Sequence, residues 1–423
     1  MSMPDGCRIP SCRGSDVALT ILEPVSLDEL EEAIAGAVAE RRKLEILGHG
    51  TKRGLGRPVE ADARLDLSRL AGIGLYEPEE LVLTAKPGTP IAEIEALIAQ
   101  RGQMLACEPA DLGPLYGAPA GAGTLGGMIA CNLSGPRRPK AGAARDGFLG
   151  FTAVSGRGER FKAGGRVMKN VTGYDLPKLL AGSHGTLAAL AEVTIRVHPA
   201  PERSLTLLLT GLDAERGTRA MTLALGSAQD PSGAAYLPAA LAARSKIDAV
   251  AGAGASVTAL RLEGIAVSVA ARAAALERLM GELGASIARI EAAESIGLWR
   301  EIRDIHFLLP ETVAVIWRLS LPPAAGAATA ERLAREIAGM KFYLDWGGGL
   351  VWTAVPPAPD AHAATVRRLA TTAGGHATLM RAPEAVRASV PVFEPEPAPL
   401  AELTARVRAG FDPLGLLNPG RMG

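Results

Sequence analysis

The sequence predicts an α+β protein in two parts, and three observations carry that prediction. Up to about residue 200, amphipathic helical stretches alternate with short apolar runs. Beyond it, the order strand, helix, strand, strand, helix, strand occurs twice. Glycine clusters, from Gly48-His49-Gly50 to Gly182-Ser183-His184-Gly185, punctuate the first part.

Ser26-Leu27-Asp28-Glu29 reads as a capping box, and Leu27, Leu30, Ile34 and Val38 follow it at helical spacing. Leu44-Glu45-Ile46-Leu47 reads as a strand that delivers the first glycine loop, 48–56. Leu65 and Leu67 mark a second strand, and Leu75-Tyr76 and Leu81-Val82-Leu83 flank the turn at 77–80. Thr89-Pro90 is expected to cap a helix with the buried stripe Ile91, Ile94, Leu97 and Ile98, ended by Gly102. A hairpin is expected from 148–154 and 159–162, then a last strand over 193–197 before Pro199 and Pro201.

In the second part the first unit uses strands at 205–209, 235–237, 257–262 and 286–290, with helices near 213–226 and 266–283. The second uses strands at 313–321, 342–346, 350–355 and 376–379, with helices near 327–339 and 361–373. Each reads as a split βαβ, ferredoxin-like unit. Pro391, Pro395, Pro397 and Pro399 lead into a final helix and a tail. The expected division is an extension over 1–15, a first domain over 16–200, a cap over 201–395, and a helix and tail over 396–423 that return to the first domain.

Composition narrows the function. Lys+Arg and Asp+Glu each total 45, so no basic surplus recommends nucleic acid, and at 4% aromatics a base-stacking surface is not expected. The four cysteines, Cys7, Cys12, Cys107 and Cys131, form no CxxC pair, which disfavours a disulfide framework or an iron–sulfur cluster. No metal site is expected. The N-terminal stretch lacks an apolar core of the secretory kind, and no run reaches the ~18 apolar residues of a spanning helix. A cytoplasmic protein is expected, and the sequons at Asn132 and Asn170 are read as chance.

The glycine loops carry the chemistry. A diphosphate needs several backbone N–H groups converging on it with no Cβ in the way, and a flat isoalloxazine needs small residues against its faces. The first loop is not a G-x-G-x-x-G fingerprint, because Arg53 stands where the third glycine belongs, and no G-x-x-x-x-G-K-[ST] string occurs. Its pairing with Gly123-Thr124-Leu125-Gly126-Gly127-Met128 and Asn132-Leu133-Ser134-Gly135 is what points to a flavin.

These loops, with Gly173-Tyr174-Asp175-Leu176 and Gly182-Ser183-His184-Gly185-Thr186-Leu187, resemble the FAD-binding domain of the vanillyl-alcohol oxidase/p-cresol methylhydroxylase group. The resemblance narrows to the glycolate oxidase (glycolate dehydrogenase) branch through the strings 102–109, Gly135-Pro136-Arg137-Arg138-Pro139, Val167-Met168-Lys169-Asn170-Val171, Asp345-Trp346-Gly347-Gly348, 374–378 and Asn418-Pro419-Gly420-Arg421-Met422. It runs from about Leu30 to the C-terminus, patchy in the cap. It implies a two-lobed FAD-binding domain followed by the cap. Gly48, Gly50, Thr51 and Lys52 would meet the FAD diphosphate. Gly123, Thr124, Gly126, Gly127 and Asn132 would close over diphosphate and ribityl. Ser183, Gly185, Thr186 and Leu187 would line the flavin side, with Val193 near the adenine. Members that attach FAD covalently often carry a histidine where this chain has Thr51, so non-covalent FAD is implied. Two positions depart from the pattern: His184 stands where many members have glutamate, and Ala188 where many have glycine.

The resemblance further implies oxidation of a 2-hydroxy acid, glycolate to glyoxylate. Partners would be a second FAD-binding catalytic subunit and an iron–sulfur subunit, with electrons passing to a membrane quinone pool through a peripherally associated complex. A non-catalytic pseudo-flavoprotein scaffold and a free-standing FAD oxidase of another hydroxy acid are the alternatives. The histidine-rich motif of the catalytic subunits is absent, since His306, His362 and His376 are scattered. His376 as base, with Arg300, Arg303 or Arg318 as carboxylate anchor, is the candidate pair, against surface or core-edge roles for each. Trp346 reads as a strand end and turn, or as an exposed aromatic that docks a partner. Arg137, Arg138, Lys140 and Arg145 read as a solvated basic run, or as one that neutralises diphosphate or meets an acidic partner. Cys131 reads as a buried small residue.

Overall fold

A computed structural model describes residues 19–166 and 173–423. The string at 167–171, the sequon at Asn170, and Cys7 and Cys12 lie outside the described residues. The first part contains two sheets. Strands Thr20–Leu22 and Leu44–Leu47 both pair in parallel with Ala63–Asp66. Helix Leu27–Glu40 covers this small sheet through Leu30, Ile34 and Ala37. Ser26 caps it by accepting from Glu29 N–H, whereas the Glu29 carboxylate reaches back to Val25 N–H, one residue short of a true box.

The second sheet is antiparallel, in the order Ile73–Glu77, Val82–Ala85, Ala188–Arg196, Phe148–Ser155, Arg160–Gly164. It packs on helices Ile91–Ala99 and Leu125–Cys131 through Leu83, Ile94, Ile98, Leu125, Ile129 and Val193. Thr89 does not cap the first of these helices. Its hydroxyl donates to Gly72 and Lys86 carbonyls, and Pro90 takes the cap position.

The second part is one eight-stranded antiparallel sheet. Its first half runs Ser286–Glu291, Arg203–Thr210, Val257–Gly264, Gly233–Leu237; its second runs Lys341–Asp345, Leu350–Val355, Val315–Ser320, His376–Arg381. In chain order within each half these are 4-1-3-2 and 2-3-1-4, so the two repeats meet edge to edge with mirrored order. The join rests on a single residue pair, Tyr236↔Leu344. Helices Ala214–Leu225, Ala266–Gly281, Gly326–Glu336 and Ala363–Thr372 cover one face. The opposite face, with Ile316, Tyr343, Trp346, Trp352 and Met380, meets Leu55, Leu112, Leu115 and Leu133 of the first part.

Two unanticipated features tie cap to first part. Helix Ala292–Arg303 extends the first repeat and buries Leu298, Trp299 and Ile302. A buried ion network crosses the boundary: Arg261 donates to both oxygens of Glu108 (2.8 and 2.9 Å), Arg137 pairs with Glu108 (2.9 Å) and Glu263, and Ser232 also bonds Glu263. Burial opposes ionisation, yet Arg137 and Arg261 hold Glu263 down to about 2.

Candidate functional site

Strand Leu44–Leu47 ends against the first glycine loop, and the loop opens a cavity. The backbone N–H groups of His49, Gly50, Thr51 and Lys52 have no protein acceptor among the described residues. Gly50 sits at φ +68°, the left-handed turn that lets successive amides converge. A Cβ on Gly48 would meet Thr124 Oγ1 at 2.8 Å, so the loop needs glycine to reach the second loop.

The second loop works differently. Leu125, Gly126 and Gly127 N–H groups donate to Thr89 O, Pro87 O and Thr124 Oγ1, leaving fewer donors for a ligand. Its glycines serve approach: a Cβ on Gly126 would lie 2.7 Å from Pro87 Cβ, and one on Gly127 3.2 Å from Lys52 Nζ. The first loop therefore offers amides and the second offers room.

Two adjoining cavities share Ile46, Leu47, Gly48, Thr124, Gly127, Ala130, His184 and Asn418 in their walls. Of the residues expected from sequence, Gly48, Gly50, Thr51, Lys52, Thr124, Gly126, Gly127, Ser183 and Gly185 line this space. Gly123 lines a neighbouring recess with Lys52 and Glu95. Four expected residues, Asn132, Thr186, Leu187 and Val193, do not line this space. Val193 is wholly buried in the sheet core and Leu187 packs beside it. The Thr186 hydroxyl is spent on Ser183 O. Asn132 takes the left-handed position after helix Leu125–Cys131 and accepts from Arg145 N–H. Ala188, where glycine is common, lines the cavity without filling it.

Charge in the cavity is cationic. The Lys52 ammonium bonds only Thr51 Oγ1 (3.2 Å) and makes no ion pair among the described residues. Glu45 is shared among Arg53 (2.8 Å), Arg64 (3.5 Å) and Arg421 (3.7 Å). Unpaired amides beside an unpaired ammonium in a glycine-lined cavity fit a diphosphate.

The C-terminal tail completes the walls, more closely than its expected packing indicated. Asn418 Oδ1 accepts from Ile46 N–H (2.7 Å), and its Nδ2 donates to His184 O (2.8 Å). Arg421 donates to Arg53 O (3.0 Å) and Leu55 O (2.9 Å). His184, at φ +53°, lines both cavities and packs against Phe393 in a tilted arrangement, 4.9 Å between centroids. Burial and the nearby Arg421 push its pKa down to about 4, so the imidazole is neutral at pH 7. Burial likewise raises the Cys131 thiol, which keeps it protonated.

The remaining candidates lie elsewhere. His376 and Arg318 come together on neighbouring strands, whereas Arg300 and Arg303 line a separate cavity between cap and first part with Glu95. The base–anchor pairing of His376 with Arg300 or Arg303 is thus not formed. Trp346 is buried in a one-turn 3-10 helix and donates from Nε1 to Gly135 O (2.9 Å), so it is no exposed docking aromatic. The basic run is dispersed: Arg137 is buried in the ion network, Lys140 pairs with Asp230, and Arg138 lies 4.6 Å over Trp346.

Comparison with known proteins agrees with this geometry. A family model described as FAD binding domain matches residues 18–164. p-Cresol methylhydroxylase with substrate bound superposes with a TM-score of 0.71 over 95% of this chain and 88% of that one, at 14% identity, which shows the shared fold. The class is that of FAD-linked oxidoreductases, with FAD as cofactor. Within it, the chain is 36% identical to glycolate oxidase subunit GlcE of Escherichia coli over 93% of its length and 96% of that protein, and it belongs to that subunit's family. Glycolate oxidase subunit GlcD of Bacillus subtilis is 29% identical over 44% of this chain and 38% of its own. No helix among the described residues is long and apolar enough to cross a membrane.

Proposed function

We propose that this chain is the FAD-holding subunit of a complex that oxidises a 2-hydroxy acid, glycolate, to the 2-oxo acid. The observation that carries the reading is the run of unpartnered amides at 49–52 beside the unpaired Lys52, in a chain 36% identical to a glycolate oxidase subunit. In this reading 16–200 is the flavin domain, 201–395 the cap, and 396–423 the element that returns to seal the cavity. FAD, when bound, would supply the two-electron acceptor that oxidation of a hydroxyl-bearing carbon requires. The amides at 49–52 and Lys52 neutralise the diphosphate, and Gly48, Gly126 and Gly127 keep its approach open. Thr124, Ser183 and Gly185 line the rest of its bed. Asn418 and Arg421 fix the first loop against the tail, while neutral His184 adds a ring at the junction of the two cavities without adding charge.

Attachment is non-covalent: His49, the histidine of the first loop, turns its Nδ1 to Ala122 O (2.9 Å). A second flavin subunit and an iron–sulfur subunit would receive the electrons and pass them to quinone at the cytoplasmic face of the membrane. The test is the visible spectrum of the purified chain before and after acid precipitation. Yellow absorbance released to the supernatant is expected. A colourless, folded chain that still assembles with its partners would replace this reading with a scaffold role.

A further inference from the structure

We propose that Arg138, Arg318 and His376 form a binding site for a small carboxylate, built on the indole of Trp346 where the cap sheet meets the segment that follows the second glycine loop. The inference deepens the proposed function by assigning residues to the acid group of its substrate class.

The strand register builds the site. On Val315–Ser320, Trp317 and Leu319 face the helices, so Arg318 and Ser320 face the first part. Ser320 pairs with His376 and Arg318 with Thr378, which puts the imidazole diagonal to the guanidinium on that same face. From the other side the chain leaves the cavity-lining helix Leu125–Cys131 and reaches Arg138 within seven residues. The Trp346 ring joins the two, with Arg138 4.6 Å and Arg318 5.2 Å from its centroid. The Nε1 bond to Gly135 O holds the indole in place.

What the cluster lacks is a counter-charge. Among the described residues neither the Arg138 nor the Arg318 guanidinium makes a hydrogen bond or an ion pair, unlike those of Arg137, Arg261 and Arg303. Two carboxylates stand nearby. Asp146 faces Arg138 but is shared with Arg145, and Glu394 near His376 is committed to Arg367 (2.6 Å) and Ala377 N–H (3.1 Å). Burial, then Arg138, pushes the Arg318 pKa down to about 10, the mark of a cation held away from water without an anion. Two guanidinium forks against one indole offer planar donor pairs of the kind that match a carboxylate, and the cation–π contacts restrict them before it arrives. Trp346 is buried, Arg318 half-buried and Arg138 exposed, so the cluster is open to a small solute from the Arg138 side.

All four tryptophans, Trp299, Trp317, Trp346 and Trp352, lie in the cap, so tryptophan emission reports on this region whether or not flavin is present. The full-length chain is titrated with oxalate and with glycolate, following emission and heat of binding. A saturable emission change is expected. Arg318→Met and Arg138→Met each weaken oxalate binding at least tenfold, Arg300→Met leaves it unchanged, and Trp346→Phe removes most of the emission change while binding heat persists. Circular dichroism and flavin content of each variant check that the chain still folds. No saturable binding to a flavin-loaded chain overturns the inference and leaves the proposed function standing. Binding unaffected by both arginine variants overturns it too. So does loss of complex assembly in Arg138→Met and Arg318→Met with no oxalate binding in wild type, which would give the cluster to acidic side chains of a partner. Absence of flavin itself counts against the proposed function, not against this site.

Discussion

Asp345 is a fully buried carboxyl at the start of the turn that carries Trp346, and it sets a pH-dependent load on the cap. Its Oδ1 accepts from Trp346 N–H at 2.7 Å, but it forms no ion pair among the described residues. Burial raises its pKa from 3.8 to about 7, with the Trp346 amide and Arg261 opposing and Glu108 adding. Between these values the folded state binds a proton that the unfolded state has released. The contribution of Asp345 to stability is therefore full below about pH 4 and is lost as pH rises through 7. About three pKa steps at 1.36 kcal/mol each give a loss of about 4 kcal/mol by pH 8. Asp345→Asn keeps the acceptor and cannot ionise, so it escapes the loss. Urea unfolding followed by tryptophan emission reads the cap, and wild type minus variant cancels every other titrating group, including His184, whose depressed pKa works in the opposite direction between about pH 4 and 6.5. The variant is expected to gain on wild type by about 3 kcal/mol between pH 4.5 and pH 8. A difference that stays constant across that range would refute the reasoning.

The flavin cavity and the lobe boundary give further tests. Lys52→Met should weaken FAD binding ~10–100-fold, the equivalent of one lost charge-assisted hydrogen bond, as read by flavin release on dilution. Gly126 and Gly127 should separate packing from binding: Gly126→Ala drives a Cβ into Pro87 and should lower stability by about 1–3 kcal/mol, whereas Gly127→Val presses on the Lys52 tip and Thr124 Oγ1 and should lose flavin with a smaller change in the Tm of the flavin-free chain. Arg261→Met strips Glu108 of its bidentate partner and should cost roughly 3–5 kcal/mol in thermal or urea unfolding, because the carboxylate stays buried.

Much of the fold was legible because pattern and packing agree. The cap strands at 205–209, 257–262 and 350–355 read correctly because each is an apolar run bounded by turn residues, and the sheet buries both faces of it. Helix Ala292–Arg303 was not legible: Gly297 interrupts it, and the core positions Leu298, Trp299 and Ile302 crowd into its last turns. The glycine loops announced a diphosphate, but sequence could not divide their labour. Whether an amide is free depends on which carbonyl accepts it, and Pro87 and Thr89, which use up the second loop's donors, are remote in pattern from that loop. Val193 failed for a related reason, since one residue of register decides whether a strand side chain meets core or cavity.

The same distinction explains why the tail belongs to the cavity. A loop with four free amides and a left-handed glycine has little of its own to hold it, and backbone donors fixed for an anion must be held by contacts outside the loop. Here the holding comes from Asn418, 372 residues from Ile46 and 234 from His184, and from Arg421, which occupies the carbonyls of Arg53 and Leu55 in the second half of the loop. A closed set results: strand Leu44–Leu47, the first loop, the His184 turn and the tail each satisfy another's backbone, and none satisfies the amides at 49–52. A protein that used this loop only for packing would have paired those groups with its own carbonyls, as the second loop does. That they are left over, beside an ammonium with no carboxylate, is the feature of this chain that demands an anionic ligand.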